Sequence, residues 1–494
     1  MELALKIGQF ILSISILVVL HELGHFLPAK WFKTKIEKFY LFFDPYFSLF
    51  SMKKINGKWE TKFFTMNQPD TEKIIVDGKE KEVAINLENL PDSDWRKHTE
   101  STKWGIGWLP MGGYVKIAGM VDESMDIEQL KKPAEPWEFR SKPAWQRLII
   151  MLGGVIVNFF LGWLIFSGLS YFNGESYTDF RKFDHGLSVT EASKKMGFES
   201  GDKILKVDGK PVTRLEESSF DILLSNNVTV ERNGQEKTFA VNEDGIRDVI
   251  KQKQAGLFLT PRIPMVLDSV GTSATAAGLQ KNDKIVAIGE NKISFFDEAS
   301  GYLEKLKGQN INLTIERNGQ QQVIENVPIN KNGKIGLTTD TSFFRNMGTT
   351  ENYTFLQSIP RGFERTIGSL TKQVKQFRLI FNSKIKGYES VGGPIAIVNM
   401  MPVDKSKSGD FSIDWTKFWS FTAMFSVWLA FLNLLPIPGL DGGHVVFTLW
   451  EMITGKPVPQ KVLESAQMIG VVFLLGLMLL IFGNDIYKLI MNKF

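Results

Sequence analysis

His21, Glu22 and His25 stand in an H-E-x-x-H pattern inside residues 7–27, a run otherwise apolar enough to cross a bilayer. On a helix, positions i and i+4 share a face, so two imidazoles at this spacing can hold one metal ion while the carboxylate beside them handles protons. A charge in the middle of a spanning helix is disfavoured by ~2.5–3.5 kcal/mol on insertion scales, so a chemical role is the reading this placement favours. Two histidines leave a catalytic zinc one protein ligand short, because such sites usually hold three protein donors and a water. The missing donor is expected from residues 433–444, N-L-L-P-I-P-G-L-D-G-G-H, whose prolines and glycines break a helix at the end of an apolar run. Irregular backbone at membrane depth is tolerated only where protein or a wet cavity surrounds it. Asp441 and His444 both qualify, and spacing alone does not choose between them. The chemistry these residues suit is zinc-assisted peptide hydrolysis inside a membrane, with Glu22 as general base.

Composition narrows the alternatives. At 494 residues the chain exceeds one ordinary core, so three or more units are expected. It has no cysteine, which excludes disulfides, thiolate zinc sites and a cysteine nucleophile; any zinc must use His and carboxylate. Of the five histidines, His21, His25, His98, His185 and His444, three fall in the two stretches just described. A formal net charge of +4 with no basic block leaves no nucleic-acid footprint, and no nucleic-acid partner is expected. The rival readings are a metal transporter and a membrane-bound binding scaffold with a vestigial zinc site. Transport does not need the Glu of H-E-x-x-H, and drift should have broken at least one of His21, Glu22, His25 and Asp441 in a vestigial site.

Four stretches qualify as spans that would position these groups: 7–27, 148–171, 418–435 and 466–483. Lys30, Lys33, Lys35 and Lys38 follow the first, and Arg140, Lys142 and Arg147 precede or open the second. Positive flanks favour the cytoplasm, so residues 28–144 are expected inside and the block between spans two and three outside. The first run lacks a convincing cleavage site and is expected to remain as a helix. The outer block repeats itself. Gly197-Phe198-Glu199-Ser200-Gly201-Asp202 is echoed 81 residues later by Gly278-Leu279-Gln280-Lys281-Asn282-Asp283, and Thr229-Val230-Glu231-Arg232-Asn233-Gly234 is echoed 85 residues later by Thr314-Ile315-Glu316-Arg317-Asn318-Gly319. Each copy ends in a strand, an Asn-Gly turn and another strand, the signature of one small β-rich domain present twice. Its pattern resembles PDZ domains, which add a peptide as an extra strand. Between residues 351 and 401 the pattern becomes amphipathic, with Phe363, Ile367, Leu370, Val374 and Phe377 at helical spacing and Lys372, Lys375, Arg378, Lys384 and Lys386 nearby. A helix lying on the membrane and one packed on the spans or the repeats fit this pattern equally.

Taken together, the H-E-x-x-H of the first span, the N-x-x-P-x-P-x-L-D-G of the third and the intervening repeat resemble the site-2 protease family of intramembrane zinc metalloproteases. The resemblance is nearest to its bacterial RseP-type members, which release sigma factors from membrane-bound anti-sigma proteins. P-M-G-G-Y-V-K at 110–116 is similar to the family's P-L-G-G-Y-V-K, Trp145-Gln146-Arg147 to its opening of span two, and G-G-P-I at 392–395 to its segment before span three. The resemblance implies that zinc takes His21, His25 and, as third ligand, Asp441, and that Asn433 contacts substrate. It also implies that Gly112, Gly113 and Tyr114 belong to a membrane-dipping β-hairpin, able to hold an unwound substrate in extended form. The fold implied is a multi-pass α-helical membrane protein with four transmembrane helices, this hairpin and two extracytoplasmic β-rich PDZ domains. The expected order is a first span (1–28), a cytoplasmic region (29–144) with an insertion at about 58–102 and the hairpin at about 103–118, and a second span (145–172). PDZ domains (173–260 and 261–345), an amphipathic linker (346–413), a third span (414–445) and a fourth with the C-terminus (446–494) follow. The implied substrates are single-pass membrane proteins, anti-sigma-factor-like regulators and remnant signal peptides among them, already cut by another protease. The implied setting is the bilayer of the bacterial inner membrane, with the PDZ domains on the periplasmic side. Val155 departs from the pattern, standing where relatives carry a proline, although Gly154 and Asn158 around it remain.

Overall fold

The computed structural model describes residues 1–67, 71–76, 79–85, 87–110, 112–120, 133–252, 258–342, 347–385, 391–406 and 409–491. Met111 of the P-M-G-G-Y-V-K stretch, Lys386 of the basic cluster and parts of the expected insertion at 58–102 lie outside the described residues. The chain divides into two compact units, Met1–Asn173 with Tyr353–Leu370 and Gly392–Phe494, and Gly174–Asn352 with Thr371–Val391.

The first unit is a helical bundle with a five-stranded sheet and two-stranded pairs beside it. Its helices are α1 (Glu2–Trp31), α2 (Ala144–Asn173), α3 (Phe355–Phe381, shared with the second unit from Thr371), α4 (Pro394–Met400), α5 (Trp415–Leu434), α6 (Asp441–Thr454) and α7 (Gln460–Ile490). Among the described residues three of them, α1, α2 and α7, are long and apolar enough to cross a membrane. The expected third span is α5, which is not among the three. Polar residues lower its hydropathy, and two of them turn inward: the Thr422 and Ser13 hydroxyls lie 3.0 Å apart, and Ser426 donates to the Asn158 carbonyl at 2.7 Å. Contacts of this kind between helices stabilise by ~0.6 kcal/mol on average where measured in a membrane. The α1–α2 crossing is as close as backbone allows, since a Cβ on Gly24 would collide with the Gly153 carbonyl. The amphipathic α3 packs on α2: Trp163 donates to the Ile359 carbonyl at 2.9 Å and its ring meets Phe363 edge-on at 5.4 Å. G-G-P-I has a partner too. Asp485, fully buried on α7, accepts main-chain N–H bonds from Gly393 at 2.8 Å and Ile395 at 3.0 Å.

The sheet contains β1 (Ile36–Leu41), β2 (Phe43–Ile55), β3 (Lys58–Met66), β6 (Lys103–Leu109) and β7 (Tyr114–Ile117), in the order β3-β2-β6-β1-β7; β4 (Thr71–Val76) and β5 (Lys79–Ala84) pair separately. The segments expected to form one hairpin at 103–118 therefore do not pair with each other. β1 lies between them, parallel to β6 and antiparallel to β7, because Phe39, Tyr40 and the Ile36–Ile117 pair take the central place that buried apolar side chains demand. Among the described residues β7 is an edge strand.

The second unit holds the repeat. In the first copy, strands Lys203–Val207, Lys210–Pro211, Asn227–Arg232 and Gln235–Ala240 lie in the spatial order two-one-three-four; in the second, Lys284–Ile288, Asn291–Lys292, Asn310–Arg317 and Gln320–Pro328 repeat it. The two sequence echoes meet in space. Buried Asp202 receives Arg232 through two bonds of 2.7 Å, and buried Asp283 receives Arg317 in the same way. The same arginines reach the carbonyls of Gly197 and Gly278, so the Gly-Asp and Glu-Arg-Asn-Gly stretches form one clamp in each copy. Each copy has its own apolar core, around Ile204, Val228 and Val230 in one and Ile285, Leu313 and Ile315 in the other.

Candidate metal centre

α1 brings His21 and His25 to the face that crosses α2, and the break after α5 returns the chain so that α6 opens with Asp441 beside them. His21 Nε2, His25 Nε2 and Asp441 Oδ2 are mutually 3.3 Å apart. That triangle matches the donors of a tetrahedral zinc, whose ~2.0–2.1 Å bonds place ligand atoms ~3.3–3.4 Å from one another. Asp441 Oδ2 is buried and has no hydrogen-bond partner, a costly state for a carboxylate that a metal ion relieves. The residues present fit zinc, and the open choice between Asp441 and His444 falls to Asp441 in this geometry; His444 is not in the group.

Neighbouring groups fix the imidazoles. His25 Nδ1 donates to the Ile150 carbonyl at 2.8 Å, which leaves Nε2 as its free donor. Asn158 lies 3.2 Å from His21 Nδ1, and its Oδ1 has no other partner. With the amide turned so that Oδ1 accepts from Nδ1–H, His21 presents Nε2 to the metal. Gly154 makes room, because a Cβ there would strike both rings. Asn433 at the end of α5 reaches to 3.2 Å from His21 Nε2.

Glu22 follows His21 on α1, and the main-chain N–H of Val115 on β7 faces its carboxylate. Gly113 allows the close approach, with no side chain between Val18 of α1 and Tyr40 of β1. Gly112, at φ +132°, makes the turn into β7. Tyr114 points the other way, donating to Asp44 at 2.8 Å and stacking on Tyr40 and Phe43. Sequence reasoning thus grouped His21, Glu22, His25, Asp441 and Asn433, and the structure brings these together; the Tyr114 side chain lies apart. It missed the Ile150 carbonyl, which no side-chain pattern encodes, and the Val115 N–H. A buried asparagine in a span was the available signal for Asn158.

Arg147 at the start of α2 pairs with Glu451 in α6, tying the helix that carries Asp441 to the one that carries Asn158.

The model of the peptidase family M50 matches residues 9–68 and 89–477. The stretch it skips is shorter at both ends than the expected insertion at 58–102. The Regulator of sigma E protease of Haemophilus influenzae is 26% identical over 98% of this chain and 99% of that protein. A Neisseria meningitidis protein that carries a zinc metalloprotease name is 26% identical over 97% of this chain and 98% of its own length. A Staphylococcus aureus protein with the same kind of name is 33% identical over 44% of this chain and 50% of its own. The match spans nearly the whole chain and takes in both halves of the donor triangle, so this protein belongs to peptidase family M50, as a zinc metalloprotease of the site-2 type.

Proposed function

We propose that the protein is an intramembrane endopeptidase that hydrolyses the transmembrane segments of single-pass membrane proteins in regulated intramembrane proteolysis. Anti-sigma-factor-like regulators and remnant signal peptides are the substrate classes. The observation that carries the reading is the 3.3 Å triangle of His21, His25 and Asp441 with Glu22 beside it, at the start of a helix break inside the bundle. His21, His25 and Asp441 hold the zinc, which supplies Lewis acidity to the scissile carbonyl and lowers the pKa of water towards ~7. Glu22 takes the proton from the attacking water and passes it to the leaving amine. Asn433, with its amide at the metal side of His21, donates to the substrate carbonyl as charge builds on its oxygen. A helical substrate hides its carbonyls, so it must be drawn out. The edge position of β7 among the described residues supports a role for Gly112, Gly113 and Tyr114 through main-chain pairing, with the Tyr114 ring bracing the strand against Asp44.

In this reading α5 is the fourth transmembrane helix, the order from 1–28 to 446–494 holds, and the two repeat copies are PDZ domains on the periplasmic face of the bacterial inner membrane. They act as a size filter that admits substrates whose outer domain is already gone. The experiment is cleavage of a single-span model substrate by the purified protein in proteoliposomes. Activity must vanish on chelation, return with zinc, and be lost in Glu22→Gln with zinc content unchanged; full activity of Glu22→Gln contradicts the reading.

A further inference from the structure

Trp145-Gln146-Arg147 opens α2, and no step of the proposed chemistry uses it. A cation is disfavoured in the first turn of a helix and an anion in the last, because the macrodipole is positive at the start and negative at the end. Arg147 stands in the opening turn of α2 and Glu451 in the closing turn of α6. Each is misplaced for its own helix and matched to the other. The Arg147 guanidinium donates to the Glu451 carboxylate, and its Nε–H donates to the Lys142 carbonyl at 3.0 Å. Trp145, two residues earlier, turns to α1: its ring meets Phe32, the residue that caps α1, edge-on at 5.3 Å. Lys142 donates to the Lys33 carbonyl beside it at 3.3 Å. The start of α2 thus holds the C-terminal ends of two helices, α1 through Trp145 and α6 through Arg147.

α1 and α6 are also the helices that supply the metal donors, while α2 supplies none and orients both imidazoles. The two levels of contact are equally spaced along all three. Phe32 follows His21 by 11 residues, Asn158 follows Arg147 by 11, and Glu451 follows Asp441 by 10. At a rise of ~1.5 Å per residue these lengths are roughly 15–17 Å. At their inner ends His21 lies 3.2 Å from Asn158 and 3.3 Å from Asp441. Three helices joined at two levels with equal spacing form a closed frame, in which α1 or α6 cannot slide along its axis without breaking a contact at the opening of α2. Asp441 depends on the frame most. His21 and His25 have partners on α2, Asn158 and the Ile150 carbonyl, whereas the described residues offer the Asp441 carboxylate only the two imidazoles as polar partners. Its place is set by α6, and donor distances in a zinc site hold within ~0.2 Å of their usual values.

We propose that Trp145 and Arg147 are positioning residues of the metal centre. Through Phe32 and Glu451 they fix the axial register of α1 and α6 against α2, and with it the size of the donor triangle. The inference rests on zinc being held by His21, His25 and Asp441.

Zinc affinity of the purified full-length chain, measured by competition with a chromophoric chelator, is the test. Arg147→Glu and Glu451→Arg are each expected to weaken it by roughly tenfold, the lower end for partners that orient a ligand. The exchange Arg147→Glu/Glu451→Arg is expected to restore it. The exchange rebuilds the pair with each charge at the end its helix favours, so it stays folded and readable where a single variant does not. Trp145→Ala is expected to weaken zinc binding likewise, and Trp145→Phe, which keeps a ring against Phe32, to retain it. An Arg147→Glu affinity equal to wild type overturns the proposal, as does an exchange variant no tighter than the single ones. A wild-type affinity unmoved by Asp441→Asn instead removes the metal centre beneath the proposal, and the frame with it. The chain has no cysteine, so nitroxides at Leu27→Cys on α1 and Ile453→Cys on α6, both exposed, report the register without zinc. Their distance distribution is expected to broaden in Arg147→Glu and to narrow again in the exchange; identical distributions in all three contradict the frame.

Discussion

Asn158 and Ile150 decide which nitrogen each imidazole offers, and that makes the centre testable away from its own ligands. Asn158→Ala removes the acceptor for His21 Nδ1–H; partners of this kind are typically worth ~10–100-fold in metal affinity. Zinc affinity measured by competition with a chromophoric chelator should weaken by that factor with the thermal midpoint of the zinc-free protein unchanged. An unaltered affinity would show that the amide does not orient the ring. At this scale the sequence was informative because chemistry-bearing types are scarce: with five histidines and no cysteine, few zinc sites can be written at all. What it concealed were main-chain groups, the Ile150 carbonyl and the Val115 N–H, whose direction is set by helix and strand packing and carries no residue signature.

Strand pairing was the least legible feature among the elements, since β1 enters between β6 and β7 through contacts remote in sequence, and register follows the buried face rather than chain order. The same sheet buries Lys53, which donates to the Trp95 carbonyl at 2.8 Å. Burial pushes its ammonium down to about 8. After ¹³C reductive methylation, one lysine resonance should titrate near that value while exposed lysines titrate near ~10.4; a Lys53→Arg variant lacking that resonance assigns it, and its persistence would refute the assignment. The Asp-Arg clamp of the repeat offers a test with an internal control. Arg232→Met leaves Asp202 buried without its partner, a loss of ~3–5 kcal/mol for a broken buried pair. Hydrogen exchange should then accelerate in Lys203–Val207 and Asn227–Arg232 and stay slow in Lys284–Ile288. Equal acceleration in both copies would mean that they do not fold as separate cores.

The molecule as a whole was legible through its repeat and its apolar runs, although α5, which carries Lys417, Thr422, Ser426 and Asn433, is less apolar than the other three. The Gly174–Asn352 segment of the second unit starts and ends in paired strands, Glu175–Thr178 against Gly348–Glu351, with Thr178 opposite Gly348. Replacing residues 179–347 by Asn-Gly would close that pair as a two-residue hairpin. If the repeat filters substrates by size, this deletion cleaves full-length substrates without prior trimming; loss of all cleavage would favour a docking role. The central claim remains that one zinc ion is held by side chains from α1 and from the start of α6. Zinc K-edge X-ray absorption on the purified protein tests it most directly. The account predicts one zinc per chain with two imidazoles and oxygen donors at ~2.0–2.1 Å, and a first shell that changes in Asp441→Asn. A spectrum unaltered by that substitution, or two imidazoles absent from the shell, would contradict it.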